Sequence, residues 1–198
     1  MIENKGRLYG ATSYLIGCMD RVADGGIGWR KSLEPFLRSL GIVILNPCDK
    51  PIDVGHETIE DRNRRRKLKQ LGEYHTLAKE IKELRSVDLA MVDMSRFIIC
   101  NIDVTIHAVG TYEELFWANR CKKPVLIHCE QSVKELPDWL FGVLPYEFFF
   151  DNWEALKTYI SLVNNKAVDK ERLNYRWKFF NYSRLTPEGQ EEYYNAIC

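Results

Sequence analysis

"TSYLIGCMDRVADGGIGWRKSLEPFLRSLGIVILNPC", residues 12–48, decides the architecture. An apolar run beginning at Thr12 and ending in glycine at Gly17 reads as a first strand. Trp29, Leu33, Phe36, Leu37 and Leu40 then recur at helical spacing, and Gly41 stops the helix. Pro35 falls inside that pattern, so the helix either kinks there or begins close to it. "IVILNPC" follows as a second, buried strand closed by Asn46 and Pro47. Strand, helix and strand within about forty residues make a βαβ unit, which requires a parallel pair and a right-handed crossover.

The alternation continues outward. Leu77, Ile81, Leu84 and Val87 mark a helix, "RFIICNIDV" a third strand, and residues 111–120 a helix offering Leu115, Trp117 and Ala118 for packing. "KPVLIHC" is a fourth strand, "VKELPDWLFG" a short helical or irregular piece, and "EFFF" a fifth strand. "NWEALKTYISLV" is a helix capped by Asp151 or Asn152. Five strands alternating with helices predict a doubly wound α/β sandwich. Such sheets collect ligands at the carboxyl ends of their strands, here residues 17–21, 46–49, 101–107 and 128–130. Residues 48–72 break the rhythm, and the basic run Arg62, Arg64, Arg65, Arg66, Lys67 and Lys69 reads as a solvated helix face. After Asn165 the pattern stops. The expected division is an α/β domain over 1–165 and an aromatic, charged extension over 166–198, with a helix start at Thr186, Pro187 and Glu188.

Composition excludes several function classes. The 198-residue chain has zero formal net charge and a pI near 6.9, so nothing draws it to long nucleic acid or an anionic membrane. The six cysteines form no CxxC pair, and several lie in strand-like runs where cysteine acts as a small hydrophobe. Without a leader-like or membrane-length apolar run, a reducing, cytoplasmic setting is expected. His56, His75, His107 and His128 lack metal-ligand spacing, so neither a metal nor another cofactor is expected.

Chemistry enters with "HAVGTYEELFWANR", residues 107–120. Gly110 and Thr111 precede a helix whose free amides can meet a ligand. Glu113 and Glu114 are consecutive, so on a helix they point roughly 100° apart. On spacing alone, both do no more than favour the helix dipole, by a few tenths to ~1 kcal/mol.

The combination of "YLIGCMDRVADGGIGWR", "DLAMVDMSRFIICNID" and "GTYEELFWANRCKKPVLI" resembles the nucleoside 2-deoxyribosyltransferase family, in particular its phage-type branch. The resemblance spans roughly residues 12–160. It implies a flavodoxin-like sandwich with strand order 2-1-3-4-5 and no cofactor. It also implies a homo-oligomer in which a neighbour's C-terminal segment completes the site. Residue by residue, Glu114 matches the family nucleophile, Asp88 the acid that protonates or orients the base, and Tyr14 the tyrosine that positions the nucleophile. Gly17, Asp20, Arg21, Trp29, Asp103, His107, Gly110 and Thr111 are the candidate substrate-binding residues. The implied partner is a small nucleoside or nucleotide. The implied reaction breaks an N-glycosidic bond through an oxocarbenium-like transition state captured by a carboxylate, while a second acid helps the base leave.

Several alternatives stay open on the sequence. Asp20, Arg21 and Arg30 suit a phosphate or base contact as well as a surface ion pair, and Trp29 suits a stacked base as well as core. Ala108 stands where the family carries an acidic residue or a serine, so His107 or Asp103 must replace that polar group or the substrate is read differently. A second reading is a nucleotide-binding sensor that kept the fold and lost the chemistry. A third is a phosphoribohydrolase acting on ribonucleoside monophosphates, although the glycine-rich run of those enzymes is missing.

Overall fold

A computed structural model describes residues 5–180 apart from 51, 53, 54 and 56. Five parallel strands form one sheet in the order β2-β1-β3-β4-β5: β1 Thr12–Gly17, β2 Val43–Leu45, β3 Phe97–Ile102, β4 Val125–Cys129 and β5 Phe149–Phe150. This is the flavodoxin-like arrangement expected from the sequence. The chain winds outward from β1 in both directions, so a crevice opens between β1 and β3 at their carboxyl ends. Register places Gly17 beside Asn101 and Asn101 beside His128, which brings three strand ends together.

Among the described residues six α-helices accompany the sheet: α1 Ile27–Ser39, α2 Ile59–Leu71, α3 Tyr74–Met94, α4 Val109–Arg120, α5 Asp138–Val143 and α6 Trp153–Asn164. Side chains alternate along a strand, so each strand feeds two cores. Tyr14, Ile16, Ile98, Cys100, Val125 and Ile127 pack with α3, α4 and α5 through Met91, Leu115, Ala118 and Leu140. Leu15, Phe97, Ile99 and Leu126 pack with α1 and α6 through Leu33, Leu37, Leu156 and Ile160.

Several expectations are corrected. The second strand is an edge strand with Val43 50% exposed, because only β1 pairs with it. The first helix runs unbroken through Pro35 and begins at Ile27; Asp24 accepts the Gly26 and Gly28 amides at 2.8 Å each and so starts the helix. The basic run lies on α2, but not all of it is solvated: Arg65 is buried, and Arg62 donates to Met19 O at 2.6 Å. Ile81 is exposed, since α3 meets the core only from Val87 onward. Trp117 is partly exposed as well, held by its Nε1–H to Asp93 at 2.7 Å. Asn152, not Asp151, caps α6 through the Ala155 amide at 2.8 Å.

Beyond Asn165 the chain stays on its own domain as far as Trp177. Trp177 is 3% exposed against Phe97, Phe148 and Tyr159. Arg176 donates to Asn119 Oδ1 at 2.7 Å and to Val143 O at 3.1 Å. The helix start proposed at Thr186, Pro187 and Glu188 lies outside the described residues.

Candidate active site

Tyr14 sits mid-strand on β1 with its side chain in the layer beneath α3 and α4. Its hydroxyl donates to Glu114 Oε1 at 2.8 Å. Glu114 belongs to the second turn of α4, which begins at Val109, so the expected contribution of both glutamates to a helix start does not apply. Burial, then the negative charges of Asp88 and Glu57, push Glu114 up to about 8, against the Tyr14 hydrogen bond, which lowers it. Tyr14 is itself pushed well up, first by burial and then by Glu114 and Asp88.

Helical geometry separates the two neighbouring glutamates. Glu113 turns outward to Arg85 of α3, whose Nε reaches both carboxylate oxygens at 2.8 Å. That pairing holds Glu113 below the usual range. It ties α4 to α3 at the surface and leaves Glu114 to the interior.

Asp88 lies late on α3, 8% exposed. Lys50 places its ammonium 2.7 Å from Asp88 Oδ1, 3.4 Å from Glu57 Oε1 and 2.6 Å from Gly55 O. Burial raises Asp88, while Lys50 and Tyr14 oppose the rise. Glu57 is also raised, by burial and then by Asp88. Three carboxyl groups therefore share one buried cluster with one ammonium. The arrangement offers a carboxyl group with raised proton affinity beside another held by a cation, the asymmetry that separates acid and base roles.

Arg30 is fully buried, with its guanidinium carbon 4.5 Å from the Trp29 ring centroid. It donates to Leu15 O at 3.1 Å, Gly17 O at 3.1 Å and Gly26 O at 2.8 Å, locking the end of β1 to the start of α1. Burial lowers its pKa. Gly17 is required by packing, because a Cβ there would meet Asn101 O at 3.0 Å and the Trp29 ring at 3.1 Å.

A cavity of about 460 Å³ opens at the strand ends, lined by Asp24, Trp29, Asn101, Asp103 and Glu130 among others. Trp29 forms part of a stack, 5.3 Å from Trp153, which lies 4.0 Å from His128. Asn101 donates to Glu130 at 2.7 Å, which orients its amide so that its oxygen faces His128 Nδ1 at 2.7 Å. That oxygen only accepts, so His128 carries its proton on Nδ1. Asp103 takes Thr105 Oγ1 at 2.6 Å and Gln131 Nε2 at 2.8 Å, and is held below its ordinary value by them.

The candidate residues thus fall into groups. Tyr14, Asp88 and Glu114 come together, and Gly17, Trp29 and Asp103 gather at the cavity or its wall. Tyr14, Asp88 and Glu114 are not among the cavity's lining residues. Asp20, Arg21 and His107 are exposed and do not line it. Gly110 and Thr111 lie in the first turn of α4, not before it, and Thr111 is buried. Lys50, Glu57, Asp24, Asn101, Glu130 and Trp153 had no role assigned from the sequence. The strand-end rule reaches Asn101 and Glu130, and Lys50 lies one residue past the end it marks. A second cavity, about 590 Å³, lies apart, between Arg7 and the segment from Lys166 to Trp177.

Among the described residues no group of His, Cys, Asp and Glu is placed to hold a metal ion, and no helix is long and apolar enough to cross a membrane. No family model matches the chain, and no curated protein matches it. Solved structures do. A 2-deoxyribosyltransferase from the psychrotolerant bacterium Bacillus psychrosaccharolyticus matches with a TM-score of 0.52 and 17% identity, over 75% of this chain and 92% of that one. A 2-deoxyribosyltransferase from Leishmania mexicana matches at 0.43 and 17%, over 76% and 96%. The CMP N-glycosidase BcmB from Clostridium botulinum matches at 0.44 and 12%, over 76% and 98%. At the first of these likenesses what is shared is the fold: this chain is built on the same doubly wound α/β sheet as a 2-deoxyribosyltransferase.

Proposed function

We infer that the protein cleaves or exchanges the N-glycosidic bond of a (2-deoxy)nucleoside or its 5′-monophosphate by double displacement through Glu114. The observation that carries this reading is the Tyr14–Glu114 hydrogen bond of 2.8 Å in a pocket shared with the Lys50-paired Asp88. In the ionised state, Glu114 attacks the anomeric carbon as the bond to the base breaks, and Tyr14 steadies the carboxylate oxygen that does not react. Asp88 serves the departing base. Another base, or water, then displaces Glu114 and restores it. Trp29 forms part of the cavity wall, and Asp103 and Asp24 supply acceptors for N–H groups of a base. The protein works as a homo-oligomer, with the C-terminal extension of a neighbour completing the site.

Incubation with a panel of deoxynucleosides, ribonucleosides and their monophosphates, with and without acceptor bases, tests the reading. Free or exchanged base is expected from the wild type, with loss in Glu114→Gln. No base from any substrate, or full activity in Glu114→Gln, overturns it. A second reading, a nucleotide-binding protein without turnover, is favoured by one observation: Ala108 caps α4 without any side-chain hydrogen bond, where the family resemblance calls for a polar group. A nucleotide bound tightly and recovered intact after hours would favour it.

A further inference from the structure

Lys50 follows β2 by five residues, and its side chain is 1% exposed. Burying an ammonium costs several kcal/mol unless acceptors surround it. Here they come from two directions: Asp88 of α3 at 2.7 Å, and Glu57 with Gly55 O from the segment before α2 at 3.4 and 2.6 Å. The other ionisable groups acting on this cluster are Tyr14 from β1, Arg30 from α1, Cys48 after β2, Arg65 from α2 and Glu114 from α4. The ammonium is paired with Asp88 and Glu57, whereas the hydrogen-bond partner of Glu114 is a neutral phenol.

We propose that Lys50 is a positioning residue of the candidate site: its ammonium fixes the Asp88 carboxylate in one orientation and keeps it ionised, so the proton of the acidic cluster resides on Glu114 in the resting protein. This rests on the functional reading above. It sharpens that reading by making Asp88 a group that orients the substrate through accepted hydrogen bonds, since an ammonium at 2.7 Å favours the ionised form of the carboxylate. The raised proton affinity of Glu114 agrees with this division.

The test uses the full chain with Lys50→Met, Lys50→Gln, Lys50→Arg and Glu57→Gln, and follows carboxyl ¹³C shifts against pH alongside kcat and KM for base release. In Lys50→Met the Asp88 midpoint is expected to rise by about one pH unit or more. At the same time kcat is expected to fall about tenfold or more. Lys50→Arg restores the midpoint and most of kcat, which a purely space-filling role would not require. Lys50→Gln, a polar replacement without the charge, decides the matter if Lys50→Met does not fold, and Glu57→Gln, which leaves the Lys50–Asp88 pair in place, lowers the Asp88 midpoint. An Asp88 midpoint unmoved in the folded Lys50→Met or Lys50→Gln overturns the proposal, as does Lys50→Arg behaving like Lys50→Met. If the wild type releases no base at all, the functional reading falls, and the titration alone still decides whether Lys50 sets the charge of Asp88.

Discussion

At the scale of single residues, Glu114 makes the sharpest demands. Its proton is held to about pH 8 when folded, against an ordinary value near 4.5 in the unfolded chain. The folded state therefore binds the extra proton, and stability falls as pH rises from the unfolded value to the folded one. Glu114→Gln removes that cost. The variant should melt higher than wild type at pH 8 by an amount on the order of a few kcal/mol, with the difference vanishing near pH 4.5, as thermal melts across pH would show. On the proposed mechanism, kcat/KM for base release should climb with pH through about 8 as Glu114 ionises. Tyr14→Phe removes the one hydrogen bond that favours the charged form, so the climb should move to higher pH and kcat should drop about 10–100-fold. A pH-independent Tyr14→Phe defect would show that the phenol acts elsewhere. Glu113, one position away, should be dispensable for base release, because its partner is the surface residue Arg85.

At the scale of elements, the junction of β1 with α1 is held by Arg30. Its guanidinium has three backbone carbonyls as partners, so Arg30→Met would take a charged donor away from each of three buried carbonyls. A loss of about 2–4 kcal/mol in urea unfolding is expected, larger than for any exposed arginine of α2. Gly26 belongs to the same junction: its φ is +72°, and a Cβ would meet Cys18 O at 2.6 Å. The elements themselves are legible in the sequence because each carries a periodic apolar pattern that burial then uses. The boundaries that moved did so for local reasons. The start of α1 is set by Asp24 capping two glycine amides, a signal lying before the apolar pattern begins. The start of α4 has no capping side chain at all, so no residue type announced it.

At the scale of the whole molecule, the segment after Asn165 is part of the fold as far as Trp177. Trp177 closes the α1–α6 core over Phe97 and Phe148 and donates to Tyr159 at 3.0 Å. Trp177→Ala should cost about 3–5 kcal/mol of stability, read from the urea midpoint. Residues 181–198 are proposed to serve a neighbouring subunit. A chain ending at residue 180 should lose oligomer in sedimentation and lose base release together with it. A monomeric, fully active truncated chain would contradict that assignment.

The sequence by itself determined the sheet, its parallel sense and the carboxyl edge where chemistry belongs, because apolar periodicity and βαβ handedness are local properties of the chain. It also separated Glu113 from Glu114, since adjacent residues on a helix diverge. The tertiary structure alone decided which charges meet. Lys50 and Glu57 lie close together between β2 and α2 while Asp88 lies far along the chain on α3, and nothing local to either segment announces that one ammonium will be buried among carboxyl groups. Arg30 shows the same limit: as a sequence it suited a phosphate, and folded it holds three carbonyls. Charge placement depends on burial and on partners from distant strands, and only the packed chain supplies both.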